Sequence, residues 1–339
     1  MKNLKFFDKI IWILNIVVAV MLLLSYLLPY VEPKRFVFVS ILSLGVPFLI
    51  LTNLIFLIYW TLRLKAQLIL SLLVLGIGYN YVLSLYKFAD SDSENTSLRN
   101  LSVMNYNVRL FNVFNWIEND HLKENIRDLI KDEKPDVICL QEYRPDKIVA
   151  LRDYYKYEDL TGQKVKSGQA IFSKFPIINS GSIEFPNSNN NAIFADIVVH
   201  HDTIRIYNVH LQSMKIDANT EITNTNSRGL LKRLTNAFGT QQLQAELFID
   251  HRESSPHEII ICGDFNNTAY SYVYKQIKGG LADAFVNAGS GFGRTLDFKI
   301  FPMRIDFILY DRSFEINSFK TYTERFSDHF PIMANFSLD

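Results

Sequence analysis

The side chains able to do chemistry fall at the ends of apolar runs. Ile260-Ile261-Cys262 leads into Gly263-Asp264-Phe265-Asn266. A strand ending this way sets a carboxylate and a carboxamide at the lip of a sheet, with Asp264 and Asn266 on one side of an extended chain. Such groups hold a water or a phosphate oxygen beside a hard cation, and Asp264 can also take a proton from water. Asn105-Tyr106-Asn107 closes an earlier run. There Asn107 can bond a phosphate oxygen or orient a metal-binding carboxylate. The run Asp136 to Glu142 ends in a carboxylate. Magnesium asks for few protein oxygens and keeps several waters, so one glutamate at a strand lip suits it. Tyr207-Asn208-Val209-His210 brings out an imidazole that can donate to a phosphate or protonate a leaving oxygen. Asp306 lies among Phe307, Ile308 and Leu309, and a buried aspartate requires a partner. Ser327-Asp328-His329 offers one. A carboxylate behind His329 would fix its tautomer and raise its basicity, and Asp328 adds a second carboxylate near the metal.

Taken singly, these are a turn asparagine, an exposed glutamate and a structural histidine. In order, at successive strand ends, they converge on one divalent metal, a polarised histidine, and carboxylates and amides around an anion. That is equipment for attack of water on a phosphate ester. Neither a Gly-x-Ser-x-Gly nor a Gly-x-x-x-x-Gly-Lys signature is present, so a serine hydrolase or P-loop reading has no foothold. Gly289, Gly291 and Gly293 read as a flexible loop. His121, His200, His201, His251 and His257 show no ligand spacing and read as solvated.

The elements that must position these groups are short and β-rich: 101–108, 136–141, 168–173, 192–199, 203–210, 258–263, 304–310 and 331–337. Several alternate with period two. Helical patterns cover 119–133, 228–250 and 270–279. The mixture predicts an α+β arrangement, two sheets packed face to face with helices outside. The polar stretch 212–227 precedes Leu230-Leu231-Lys232-Arg233-Leu234, and together they suit a substrate- or membrane-facing element, with a disordered insertion as the alternative.

Of the 339 residues 48% are hydrophobic, and the excess sits in the first ninety. Three apolar stretches, about 10–31, 36–60 and 66–86, each reach the length that crosses a hydrocarbon core of about 30 Å. A cleaved signal peptide would account for one, not three. Lys2, Lys5, Lys9, Arg63 and Lys65 on one side outnumber Lys34, Arg35 and Lys87 on the other, which predicts a cytoplasmic N-terminus and an extracytoplasmic C-terminal domain. Tyr26, Tyr30, Tyr59, Trp60 and Tyr86 fall at expected interfaces. No charge lies within the three stretches, which favours an anchor over a transporter. The expected organisation is a transmembrane anchor over 1–88, an acidic linker over 89–100 and a catalytic domain over 101–339.

The whole chain carries 35 basic and 35 acidic residues. The first hundred hold nine and five of them, leaving 26 and 30 beyond, a net of −4. A domain gripping nucleic acid through phosphates is usually basic, so this balance disfavours a general nuclease. Cys139 and Cys262 sit in apolar runs and read as buried thiols, with a bridge open if their strands are neighbours.

On Asn105-Tyr106-Asn107, Gln141-Glu142, Asn208-Val209-His210, Gly263-Asp264-Phe265-Asn266, Arg304-Ile305-Asp306 and Ser327-Asp328-His329, residues 101–339 resemble the endonuclease/exonuclease/phosphatase superfamily. The resemblance implies a four-layer α/β/β/α sandwich of two mixed sheets with the site at one end, here preceded by three transmembrane helices. It implies Glu142 as principal Mg²⁺ ligand with Asn107 beside it, and Asp328 supporting the metal. Asp264 and Asn266 would position water and phosphate, Asp306 would orient His329, and His210 would serve the phosphate or the leaving oxygen. Which group is the base stays open. The basic loops of abasic-site enzymes and the phosphoinositide-reading motifs of 5-phosphatases are not found.

The expected function is a membrane-anchored, Mg²⁺-dependent phosphodiesterase or phosphatase, with Mn²⁺ as an alternative cation, acting on a phospholipid head group or small phosphoester. The runner-up is an extracytoplasmic DNA or RNA endonuclease. A catalytically inactive, membrane-tethered binding module is the third reading. The lipid bilayer is the partner of the N-terminal helices, and no protein partner is implied.

Overall fold

A computed structural model describes residues 4–88, 100–162, 166–215, 227–298 and 301–338. Two six-stranded mixed sheets form its centre. The first runs edge to edge through Ala282–Asp283, Asp306–Tyr310, Glu258–Asp264, Asp202–His210, Asn191–Val199 and Ile177–Glu184. The second runs through Glu315–Thr321, Ile332–Ser337, Asn100–Asn107, Val137–Tyr143, Ser167–Ser173 and Tyr155–Thr161. Each contains one parallel pair at its centre. Parallel strands are buried on both faces and therefore read as continuous apolar runs, as Glu258–Asp264 does, where every residue after Glu258 is buried.

Inward residues of both sheets, among them Val103, Cys139, Ile206, Ile260 and Cys262, form a shared core. The outer face of the first sheet is covered by the helices Ser227–Glu253 and Tyr272–Lys278 through Phe248, Val273 and Ile277. Leu122, Ile126 and Ile130, four apart on Leu122–Glu133, cover the second sheet. Each such side chain contributes roughly 1.5–3 kcal/mol by leaving water. Lys134 ends this helix in the left-handed conformation, and Pro135 prevents its continuation. The expected α/β/β/α layering is present, and both cysteines are free thiols.

Four strands of the two sheets have no counterpart in the sequence reading: Tyr155–Thr161, Ile177–Glu184, Glu315–Thr321 and the two-residue Ala282–Asp283. All four are sheet edges. The glycine run is not a free loop. Gly289 follows the short helix Ala284–Ala288, and Gly291–Phe292 pairs with Tyr86–Lys87 at the exit from the apolar segment. Nor is His251 solvated: its Nδ1 lies 3.0 Å from the Tyr207 hydroxyl and its ring packs on Phe194. The 89–99 part of the expected linker and most of the 212–227 stretch lie outside the described residues.

In the N-terminal part, Phe6–Tyr30 and Pro33–Leu62 are long and apolar enough to cross a membrane. Each differs in detail from expectation. The first helix begins at Phe6 and so takes in Asp8, a buried charge where none was expected; Asp8 accepts from Tyr59 Oη at 2.7 Å and from Arg63 at 2.8 Å. The second is interrupted: Pro33–Ile41 is a short helix, Leu42–Gly45 a tight turn, and Val46–Leu62 the long apolar helix. The third stretch bends by 81° between Leu68–Ile77 and Tyr79–Leu85, and makes a third span only if the bent pair counts as one. The Tyr26 ring occupies the space at the bend. A Cβ on Gly78 would lie 2.0 Å from its hydroxyl oxygen.

Candidate active site

Parallel pairing brings the site together. In each sheet the two central strands run the same way, so their last residues share one edge. Asn107 is in register with Gln141, and His210 with Asp264. The antiparallel strand Asp306–Tyr310 starts at that edge, with Asp306 opposite Asp264. The sheets meet there: Asn107 Nδ2 donates to Asp264 Oδ2 at 3.0 Å and stands 3.3 Å from Glu142 Oε1. Gly263 permits this crowding, because a Cβ at that position would lie 2.1 Å from the Val209 carbonyl oxygen.

His329 enters from the loop before the last strand. Its Nδ1 is 2.9 Å from Asp306 Oδ2, and its Nε2 is 3.7 Å from Asp264 Oδ2. His210 Nε2 approaches the same oxygen at 3.8 Å but, among the described residues, has no hydrogen-bond partner. Asn266 bonds Asp264 through both its backbone N–H, at 2.8 Å, and its amide, at 3.2 Å. Glu142 and Asn266 hold left-handed backbone angles, φ 47° and 49°. Non-glycine residues adopt such angles at a cost of about 1–3 kcal/mol, and they concentrate at functional sites. At Glu142 the cause is a bulge between Leu140 and Tyr143.

Burial pushes the Glu142 carboxyl above its ordinary value, and pushes Asp264 up to about 6, with Asp306 adding to the effect. For His329, burial opposes the charged ring, but the Asp306 and Asp264 carboxylates prevail and hold it well above the ordinary imidazole value. His210 is lowered by burial, partly offset by Asp264.

One atom each of Asp264, Asp306 and His329 lies within 4.8 Å of the others, close enough to share an ion. Asp306 is, however, already engaged with His329. Among the described residues, the carboxylate of Glu142 has a single hydrogen bond, the weak one from Asn107. These oxygen donors, with the unpartnered His210 Nε2 and Asp306 Oδ1 beside them, suit a hard divalent cation and its waters.

All eight residues expected at the site reach this end of the sandwich. Asp328 differs in its partner: its Oδ2 pairs with Arg109 Nη1 at 3.0 Å. The sequence reading passed over several supporting groups. Arg109 also stacks over Trp116 at 4.4 Å. Ser327 Oγ donates to the Asn107 carbonyl at 2.9 Å and accepts from the His329 N–H. Thr295 Oγ1 accepts the backbone N–H groups of Ile305 and Asp306, both at 3.0 Å. Ser327 stood within a quoted motif; Thr295 gave no local signal.

A cavity of about 220 Å³ opens onto Glu142, Asp264, Asn266, Asp328 and His329. A wider groove of about 880 Å³ runs along Ser318–Thr323 and Arg325, and contains none of the strand-end polar residues.

Residues 104–329 match the endonuclease/exonuclease/phosphatase family, and the chain belongs to it. Members of that family are generally phosphoesterases or nucleases and usually employ divalent metals. Residues 8–85 match a second family, described as a domain of unknown function (DUF8431). A search of curated proteins finds no match. Among solved structures, the human Nocturnin catalytic domain with bound sulfate is similar at 19% identity and a TM-score of 0.55, over 74% of this chain and 96% of that one. The Bacteroides thetaiotaomicron mannosyl-6-phosphatase aligns at 18% identity and 0.52, over 70% and 100%. Danio rerio TDP2 with a single-strand DNA product aligns at 17% and 0.52, over 70% and 99%. At such identities the likeness shows the fold alone.

Proposed function

We propose that the protein is a membrane-anchored hydrolase of phosphate esters that works with a divalent cation, Mg²⁺ or Mn²⁺, on a phospholipid head group or other small phosphoester. One observation carries this reading: the Asp306–His329 pair, Asp264, Glu142 and His210 Nε2, unpartnered among the described residues, converge at one end of the sandwich. Glu142 and Asn107 would hold the cation, and Asp328 would join them only on leaving Arg109. When bound, the cation would draw charge from the phosphate oxygens. Asp306 keeps His329 oriented with Nε2 toward the site, where a charged ring donates to a phosphate oxygen. Asp264, steadied by Asn266 and Asn107, takes a proton from the attacking water. His210 stands beside it to serve the phosphate or the leaving oxygen.

The residues 1–88 would form the anchor and 89–100 the linker. The lysine and arginine distribution supports an extracytoplasmic site. The experiment is a hydrolysis panel of DNA, phospholipids and small phosphoesters, using the full chain in detergent with Mg²⁺ or with chelator, beside His329→Ala. Metal-dependent turnover of phospholipids or small phosphoesters, lost in the variant, is the expected result. Turnover of DNA alone, with strong salt dependence, would transfer the assignment to a nuclease. No turnover by the folded, metal-supplied chain would support a binding module.

A further inference from the structure

The segment between the two long apolar helices is docked on the sandwich. Val37, Ile41 and Leu44, at helical spacing, pack with Met214, Leu234 and Phe238. The Lys34 backbone N–H donates to Gln242 Oε1 at 2.8 Å, and its ammonium pairs with Glu246. The turn Leu42–Gly45 then carries this strip into the site, where Leu44 lines the same cavity as Glu142, Asp264 and His329. The cavity is therefore lined by two kinds of side chain: the carboxylates, amide and imidazole of the strand ends, and an apolar set of Leu44, Met214, Leu296, Phe298, Phe301 and Met303, with Ser213 and Lys215 beside Met214.

The position of Leu44 is what gives the apolar set a meaning. It stands two residues before Val46, the start of the long helix Val46–Leu62. On the opposite face of the same segment Phe36, Phe38, Val39 and Leu42 are exposed. An apolar face directly ahead of a membrane-crossing helix lies in the interfacial layer of the bilayer. With Val46–Leu62 across a membrane, Leu44 would stand near the level where lipid chains meet their head groups.

We propose that this cavity takes an amphiphilic phosphoester from the bilayer, its phosphate at the strand ends and its hydrocarbon against the wall that Leu44 completes. The N-terminal segment is then part of the substrate site and more than a tether. This inference rests on the hydrolase reading above and narrows its substrate class. A water-soluble ester has nothing to place against that wall, whereas a chain drawn from water gains about fourfold in binding per methylene buried there, and a chain drawn from the bilayer keeps the apolar surroundings it already had. In the reaction, a water oxygen forms a new bond to phosphorus as the bond to the leaving oxygen breaks. One water proton passes to the base, and the leaving oxygen departs with a proton.

The test uses the full chain reconstituted in phosphatidylcholine vesicles with Mg²⁺. Two matched pairs are assayed: methyl and hexadecyl phosphate, read by inorganic phosphate, and methyl and hexadecyl 4-nitrophenyl phosphate, read by nitrophenolate. For the pair that turns over, the wild-type kcat/KM should favour the long chain by roughly tenfold or more. Leu44→Ser should lower that ratio by about tenfold. Leu44→Phe stays apolar but fills the cavity, so it should favour the matching octyl ester, assayed beside each pair, over the hexadecyl one, which guards against a folding defect in the serine variant. A ratio unchanged in both variants overturns the inference. Turnover of methyl esters without chain preference also overturns it and leaves the hydrolase reading standing. No metal-dependent turnover of either pair overturns both.

Discussion

The strand Asp202–His210 carries a buried ionisable group at each end, and the two ends are finished differently. Near its start, Arg205 grips Asp196 through two bonds of 2.6 and 2.8 Å, and Asn179 adds a third at 2.9 Å. That carboxylate is closed. At the other end, among the described residues, His210 Nε2 and Asp306 Oδ1 are buried without partners, while Glu142 has one weak contact at 3.3 Å. Buried polar atoms without partners cost about 1–3 kcal/mol each. In the proposed reading, the open end is where the cation and the phosphate bind.

Substitutions at the two ends should therefore separate activity from stability. The largest effect is expected at the open end. His210→Gln, at a ring nitrogen that already lacks a partner, should lower kcat/KM by about 10²-fold or more while the thermal midpoint stays near wild type, and chelation should abolish turnover until Mg²⁺ is returned; a steady-state assay beside a melting curve checks both. At the closed end, Arg205→Ala leaves Asp196 buried without its counter-charge. The expected loss is about 3–5 kcal/mol of stability, read as a lowered melting temperature.

A pH series sharpens the contrast. Burial pushes the Asp196 carboxyl up, but the bonds from Arg205 and Asn179 outweigh it and hold the group below its ordinary value. The unfolded chain then binds the proton first as pH falls. The pair's contribution is present above about pH 4 and fades below it. Melting curves of wild type and Asp196→Asn should accordingly converge as pH drops through that region. The smallest effect belongs to the apolar helices. There Asn15 donates to Ser71 at 2.8 Å and accepts from Trp60 Nε1 at 3.0 Å. Asn15→Ala should cost about 0.6–2 kcal/mol of helix association and leave the chemistry in place, as a detergent-denaturation curve and an assay would register.

What could be read from the sequence follows the same physics. The central strands announce themselves because burial on both faces demands unbroken apolar runs, and Asp264, His210 and Glu142 were found as the polar residues ending those runs. The edge strands were missed because their pattern is mixed: Tyr155–Thr161 has no fully buried residue, so neither alternation nor an apolar run marks it. Asp306 was paired with His329 correctly because a carboxylate among Phe307, Ile308 and Leu309 must find a donor. Arg109 went unseen because its link to Asp328 depends on a left-handed loop at 109–112 that no residue type there demands. Leu44 went unseen because its place in the same cavity as Glu142 and His329 is set by tertiary packing between distant parts of the chain.

The measurement that tests the open-end claim most directly is thermal unfolding of the full chain with and without Mg²⁺, for wild type and Glu142→Gln. A cation that binds only the folded protein at a hundred times its dissociation constant adds about 2.7 kcal/mol. The wild-type midpoint should therefore rise by several degrees with Mg²⁺, and the variant's should not. An unresponsive wild type, or an equal rise in both proteins, would contradict the account.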